Sequence, residues 1–221
     1  MSYQQYLDSQ NRLQDLVEPL EPTALDVITP ACPQWSVHDV LAHLAGAAES
    51  FGTETFAGVG TDPWTAEHVA SRRGVPLADL LAERRRHSTK LTELPPDHGA
   101  WLPVVHDALS HEADIRAAIG APQLPADVLA AAFPLIEQVL PGQLAKLGTV
   151  ELIVDGQSRT YGEGEPDLVV DAPMFEFWRA WFGRRSDNQI RSWVRSGDAD
   201  SLVKTLPVFP ARSTDLIESG S

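Results

Sequence analysis

A mainly α member of the α+β class is what this sequence predicts, with an N-terminal four-helix bundle followed by a small C-terminal α+β domain. Three observations lead there. Apolar residues recur at helical spacing through the first two-thirds of the chain. After Gly148 the pattern changes to strand-like alternation. The length, 221 residues, suits one large domain or two small ones with a real core. We set the expected boundary so that the bundle covers 1–147 and the α+β domain covers 148–221.

The elements follow in order. Tyr6, Leu7, Leu13, Leu16, Val17 and Leu20 fit an amphipathic helix over 3–20. A proline-containing break fills 21–34. Ser36 is then an N-cap with Asp39 three positions on, an acidic form of the capping box, and Val37, Val40, Leu41 and Leu44 form the apolar stripe of the helix it opens. Residues 52–76 are rich in Gly, Thr and Pro, with a short helix expected around 65–72. Leu77, Leu80, Leu81, Leu91 and Leu94 predict a third long helix over 77–94, with Arg84-Arg85-Arg86-His87 as its solvated face. The fourth begins near Pro103 and ends near Ala118, before Gly120 and Pro122. Val128, Leu129, Phe133, Ile136, Val139 and Leu140 continue the helical pattern over 126–146, which Pro134 and Pro141 should kink or divide.

In the C-terminal third, Val150, Leu152 and Val154 alternate with Glu151 and Ile153, and Asp155-Gly156 is a hairpin signal. Residues 167–171 read as another strand. Pro173 opens a helix whose Phe175, Phe177, Trp178, Trp181 and Phe182 read as core packing, and Gly183 closes it. Ser186 and Gln189 form a second capping box, opening a helix that is expected to end near Gly197. Segment 213–221 is expected to be loose.

Charge and composition exclude several functions. A net charge of −14 repels phosphate backbones and argues against a nucleic-acid partner. Cys32 is the one cysteine, so no internal disulfide forms and the reducing cytoplasm is the expected compartment. The polar start Met1-Ser2-Tyr3-Gln4-Gln5 lacks the basic and apolar regions of a signal peptide. No uncharged apolar run reaches the roughly 18 residues of a membrane span.

Three residues carry candidate chemistry. His43 borders the buried stripe of its helix, three positions after Val40. Asp107 and His111, four apart, differ by about 40° in direction and share a stripe with Asp114, flanked by Val104 and Ile115. A carboxylate and an imidazole buried there need partners, and a metal satisfies both. Two imidazoles and one carboxylate from two packed helices can hold one divalent cation with a coordination position left open, which is a catalytic pattern. A satisfied core histidine is the other reading that spacing alone leaves open. His106 points about 100° away from Asp107. His38 reads as a solvated first-turn residue, and His68, His87 and His98 sit in polar surroundings and need no special role. Cys32, without a basic neighbour, reads as a small inert buried thiol. Asp114 either orients a ligand imidazole or anchors Arg116. Arg184 and Arg185 stand beside the N-cap Ser186, where anions are favoured, and are candidates for a substrate carboxylate; otherwise they are a surface pair over the aromatic helix. No side chain is assigned a direct catalytic role.

The stretch Trp35-Ser36-Val37-His38-Asp39-Val40-Leu41-Ala42-His43-Leu44, followed downstream by Asp107-x-x-x-His111-Glu112-x-Asp114-Ile115-Arg116-x-x-x-Gly120, resembles the mycothiol-dependent maleylpyruvate isomerase family. That family belongs to the DinB/YfiT-like metal-binding helix-bundle superfamily. Gly183-Arg184-Arg185-Ser186 with Gln189 and Gly197-Asp198 is similar to its tail region. The resemblance implies a DinB-like bundle and a divalent metal, zinc or alternatively nickel, held by His43, Asp107 and His111. Asp107 stands where the family has glutamate or histidine, so the backbone must come closer. Mycothiol is implied as cosubstrate, and isomerisation or S-transfer on a small electrophile such as maleylpyruvate as the reaction. The chemistry is coherent: a thiol held by a dication is deprotonated and can add to an electron-poor double bond. A non-catalytic binding or regulatory protein on the same bundle is one alternative, and a metal-dependent hydrolase another.

Overall fold

The computed structural model describes residues 2–95 and 97–218. It has the expected mainly α architecture of the α+β class. In chain order the elements are α1 (Ser2–Val17), α2 (Pro22–Leu25), β1 (Ile28–Thr29), β2 (Cys32–Ser36), α3 (Val37–Gly52), α4 (Asp62–Ser71), α5 (Leu77–Ser88), α6 (Trp101–Ala118), α7 (Ala126–Glu137), α8 (Leu140–Leu144), β3 (Val150–Val154), β4 (Gln157–Tyr161), β5 (Leu168–Ala172), α9 (Met174–Trp181), α10 (Asp187–Arg191), β6 (Val194–Ser196) and α11 (Ala199–Thr205). The chain forms two compact units that divide between Leu124 and Pro125.

In the first unit α1, α3, α5 and α6 pack around Leu13, Val17, Val40, Leu41, Leu44, Leu80, Leu81 and Ile115. Ser36 caps α3 as predicted: its hydroxyl accepts from the Asp39 amide, and the Asp39 carboxylate accepts from the Ser36 amide. The box fixes where α3 starts and hence which side of it His43 faces. Helix α6 is tied to α1 by Glu112, fully buried, which accepts from Ser9 and pairs with Arg12 at 2.9 Å and Arg116 at 3.0 Å. Helix α6 begins at Trp101, ahead of Pro103; a first-turn residue has no helical amide bond to lose. The polar segment 21–36 supplies a short β1–β2 ribbon that the break had concealed.

In the second unit the sheet order is β4-β3-β5-β6, with β3 antiparallel to β4, parallel to β5, and β5 antiparallel to β6. Asp155 and Gly156 both take positive φ, 47° and 76°, giving the predicted hairpin. Val150, Leu152 and Val154 face the core, alternating as expected. Helix α7 belongs to this unit, so the division falls earlier than the expected 147/148. Its Phe133 ring lies 6.0 Å from Phe177 of the aromatic helix α9. Pro134 sits inside an uninterrupted α7, and the break falls just beyond it, before α8.

The helix after Ser186 is much shorter than expected. Its capping box is present, but α10 stops at Arg191 and the chain turns extended to give β5 a second partner in β6. Asp198 then caps α11, which sequence periodicity did not reveal. Nor is 213–218 loose. Leu216 and Glu218 are buried, and Glu218 takes both Arg179 and Arg185; residues 219–221 lie outside the described residues. Among the described residues no single helix is long and apolar enough to cross a membrane.

Candidate metal centre

His43 on α3 meets Asp107 and His111 on α6. His43 Nε2 lies 3.4 Å from Asp107 Oδ1, and His111 Nε2 lies 3.6 Å from the same oxygen. The two imidazole rings are 4.9 Å apart, edge to face. All three donor atoms fall within 4.8 Å of one another. Four-coordinate zinc, with bonds of about 2.0–2.1 Å, separates its nitrogen and oxygen ligands by about 3.4 Å, close to the two separations from Asp107 Oδ1. These separations are too long for good hydrogen bonds. Both histidines are buried, whereas the Asp107 side chain is 26% exposed. The carboxylate therefore marks the solvent side of the cluster, and its shorter side chain does reach both imidazoles.

The outward nitrogen of each ring is also engaged. His111 Nδ1 lies 3.0 Å from Asp114 Oδ2, and Asp114 is wholly buried. A carboxylate only accepts, so Nδ1 carries a proton, and in a neutral ring Nε2 turns a lone pair toward Asp107. A lone pair and a carboxylate this close call for a positive charge between them, whether proton or cation. Asp114 thus contacts the His111 imidazole, while Arg116 pairs with Glu112. Cys32 is half-buried, and its Sγ–H donates to the same Asp114 oxygen at 3.6 Å. It lies beside the cluster rather than in an inert apolar pocket.

On the other ring, His43 Nδ1 lies 3.3 Å from His68 Nδ1, and His68 Nε2 lies 3.1 Å from Ser50 Oγ. Trp64 packs edge-on against His68 with ring centroids 4.2 Å apart. Burial first, and His43 second, pushes the His68 imidazole down to about 4, so it is neutral at pH 7. His68 does have polar neighbours as expected, but it is buried and one of them is His43 of the cluster. The signal was on α3, where Gly46 interrupts an Ala- and Leu-rich helix one turn after His43. A Cβ at Gly46 would lie 2.4 Å from His68 Cγ. Trp35, at the end of β2, completes the surroundings, 5.2 Å from the His43 ring and 5.9 Å from His111.

Other candidates fall elsewhere. Arg185 is fully buried in the second unit, bidentate to Glu176 and paired with Glu218 at 2.9 Å. Its charge is met inside the protein, which corrects both the anion-receptor and the surface-pair readings. Arg184 donates to the Phe182 carbonyl. His38 Nε2 sits 2.8 Å from the Val75 carbonyl oxygen rather than in solvent. Of the arginine run, Arg85 and Arg86 are exposed, but Arg84 is buried with its guanidinium 5.6 Å from the centre of the Tyr6 ring. Glu49, Glu83 and His87 also draw together, yet Arg72 already pairs with both carboxylates, at 2.7 and 2.6 Å.

Comparison with known proteins adds the following. The family described as mycothiol maleylpyruvate isomerase N-terminal domain matches residues 6–119, more than half of the chain. Two solved structures share its fold. One, a histidine-to-alanine mutant of the mycothiol-dependent maleylpyruvate isomerase, is 13% identical with a TM-score of 0.57, over 84% of this chain and 89% of its own. The other, described as the mycothiol-dependent maleylpyruvate isomerase, is 14% identical with a TM-score of 0.56, over 83% and 88%. No curated protein matches the chain.

Proposed function

The chain belongs to the mycothiol maleylpyruvate isomerase N-terminal domain family, and from that premise we propose that it is a metal-dependent enzyme using a low-molecular-weight thiol. His43, Asp107 and His111 are the proposed ligands and zinc the proposed ion; nickel suits the same donors. A divalent cation held by these donors supplies one thing, a thiolate sulfur stable at neutral pH.

The chain's own residues do the rest. Asp114 holds the His111 tautomer that turns Nε2 inward. Asp107 stands on the exposed side, so a ligand approaches past this carboxylate. Trp35 and Trp64 cover the imidazole rings and keep water from them. Two neutral imidazoles and one carboxylate leave a dication with one net positive charge, which favours an anionic sulfur as further ligand.

The proposed cosubstrate is mycothiol and the proposed substrate a small electrophile such as maleylpyruvate. The thiolate adds to the electron-poor double bond, rotation about the resulting single bond follows, and expulsion of the thiolate restores the double bond in the other geometry. With an alkylating electrophile the thiolate forms the carbon–sulfur bond as the bond to the leaving group breaks and that group departs with the electron pair, and the outcome is S-transfer. The reducing cytoplasm, where a free thiol persists, is the proposed setting.

The observation that carries this reading is the 3.4 and 3.6 Å spacing of two inward Nε2 atoms about one Asp107 oxygen. The test is metal analysis of the purified protein joined to a maleylpyruvate assay with and without mycothiol. One equivalent of metal, lost in His43→Ala and His111→Ala, with turnover only when thiol is present, is expected. Turnover indifferent to thiol would indicate a hydrolase, and metal binding without turnover a binding protein. No metal even after supplementation would overturn the reading.

A further inference from the structure

The geometry points to His68 as the positioning residue of the proposed centre: it accepts the Nδ1–H of His43, passes its own Nε2–H to Ser50, and so holds the His43 Nε2 lone pair toward Asp107 and His111. This inference rests on the metal-binding reading above and extends it to a residue with no contact to the ion's position.

A histidine that ligates through Nε2 keeps its proton on Nδ1, and that proton needs an acceptor. The atom opposite is His68 Nδ1, at 3.3 Å. A neutral imidazole accepts at one nitrogen only, so accepting there puts the His68 proton on Nε2. That nitrogen faces Ser50 Oγ at 3.1 Å, and a hydroxyl oxygen has lone pairs to receive it. The three groups thus form a chain with one direction of donation that leaves His43 Nε2 unprotonated. Reversed, the same chain runs from Ser50 through His68 to His43, and His43 Nε2–H then donates toward Asp107. The two arrangements hold the same number of protons, so metal binding at His43 Nε2 selects the first without loss or gain of a proton in the chain.

Local architecture favours this role over a filler histidine. His43, Gly46 and Ser50 stand at i, i+3 and i+7 on α3, one face of the helix. The first and last offer polar atoms to the His68 ring, and Gly46 between them offers the space. On α4, His68 is the buried residue, so this helix docks through an imidazole where an aliphatic side chain would serve packing alone. On the facing side Asp114 performs the same office for His111. Each ligand imidazole is therefore backed by a different chemical group.

The deciding measurement is nitrogen-15 correlation spectroscopy of the zinc-loaded wild-type protein. We expect His43 with its proton on Nδ1 and His68 with its proton on Nε2; a proton on Nδ1 of His68 would overturn the proposal. Zinc affinity by competition with a chromophoric chelator supplies the second readout. His68→Phe, with no acceptor, should bind zinc about 10- to 100-fold more weakly than wild type. His68→Asn, which keeps an oxygen near the Nδ1 position, should recover most of that loss. Ser50→Ala, at a half-buried position, should show a smaller loss and serves if His68→Phe does not fold. Wild-type affinity in folded His68→Phe or in Ser50→Ala would reject the relay while leaving the metal site standing. Wild-type protein without zinc affinity would reject the site beneath it.

Discussion

Gly46 and His68 compete for one volume: a methyl group on Gly46 would sit 2.4 Å from Cγ of the His68 ring. A glycine inside a helix costs about 1 kcal/mol relative to alanine, so Gly46→Ala on an isolated helix would stabilise. Here we expect the reverse. The ring is enclosed by Trp64, His43 and Ser50, and displacing it breaks both of its hydrogen bonds. Gly46→Ala should therefore lower stability by about 1–3 kcal/mol in urea unfolding. Gly142, a helical glycine whose added methyl group would meet nothing within 4 Å, is the control; Gly142→Ala should raise stability by up to about 1 kcal/mol. An equal gain at both positions would contradict the close approach.

The depressed basicity of His68 predicts an acid-side loss of stability. The folded protein holds the ring neutral down to about 4, while the unfolded chain protonates it below 6.5. Unfolding therefore takes up a proton in that window. The associated stability is fully present above 6.5, falls as pH drops toward 4, and levels off below. The limiting slope for one proton is about 1.4 kcal/mol per pH unit. Carboxylates titrate in the same range, so the measurement is a difference: metal-free wild type against His68→Asn across pH 4 to 8. The variant should lose stability less steeply between 6.5 and 4. Parallel curves would show that His68 titrates normally.

What the sequence disclosed and what it concealed divide along the range of the forces involved. Both capping boxes, Ser36 with Asp39 and Ser186 with Gln189, are local hydrogen-bond pairs, and both form. The Asp155-Gly156 turn is likewise set by two residues. That Asp107 and His111 share a face was legible because a helix fixes residues four apart, and that His43 borders the buried side of α3 because its cap fixed the phase of that helix. His68 was hidden because its helix, α4, has little amphipathic pattern and is placed by contacts with a distant segment. Arg84 was misread for a related reason: a charge pattern does not say which member of a run is turned inward. The length of α10 was overestimated because the demand of β5 for an edge partner is a tertiary one.

Asp107 sets the reach of the cluster, and its length should be tuned to it. Its Oδ1 already stands 3.4 and 3.6 Å from the two Nε2 atoms. Asp107→Asn keeps the shape and removes the charge, so zinc affinity should fall at least about tenfold, or roughly 1.4 kcal/mol. Asp107→Glu keeps the charge but adds a methylene where the backbone is spaced for the shorter acid. It should also bind more weakly than wild type, although glutamate is a competent zinc ligand in general. Chelator competition on the three proteins checks both outcomes. Affinity in the glutamate variant at or above wild type would mean that helix spacing adjusts freely to ligand length.

Arg185 should matter for stability and not for substrate affinity. It is fully buried between Glu176 and Glu218, and it holds the segment after Ser213 to the second unit. Removing the cation takes one arginine partner from the buried Glu218, which keeps its pair with Arg179. Breaking a buried pair in this way costs about 3–5 kcal/mol. Arg185→Met should therefore lower the unfolding midpoint strongly. Glu218→Gln should lower it too, since it withdraws the carboxylate from both Arg179 and Arg185. If Arg185 instead served a substrate carboxylate, its loss would raise KM at temperatures where the variant remains folded. We expect KM within about twofold of wild type there, because three carboxylate contacts from Glu176 and Glu218 already occupy the guanidinium. Steady-state kinetics below the variant's melting transition, set beside its thermal unfolding curve, separates the two roles.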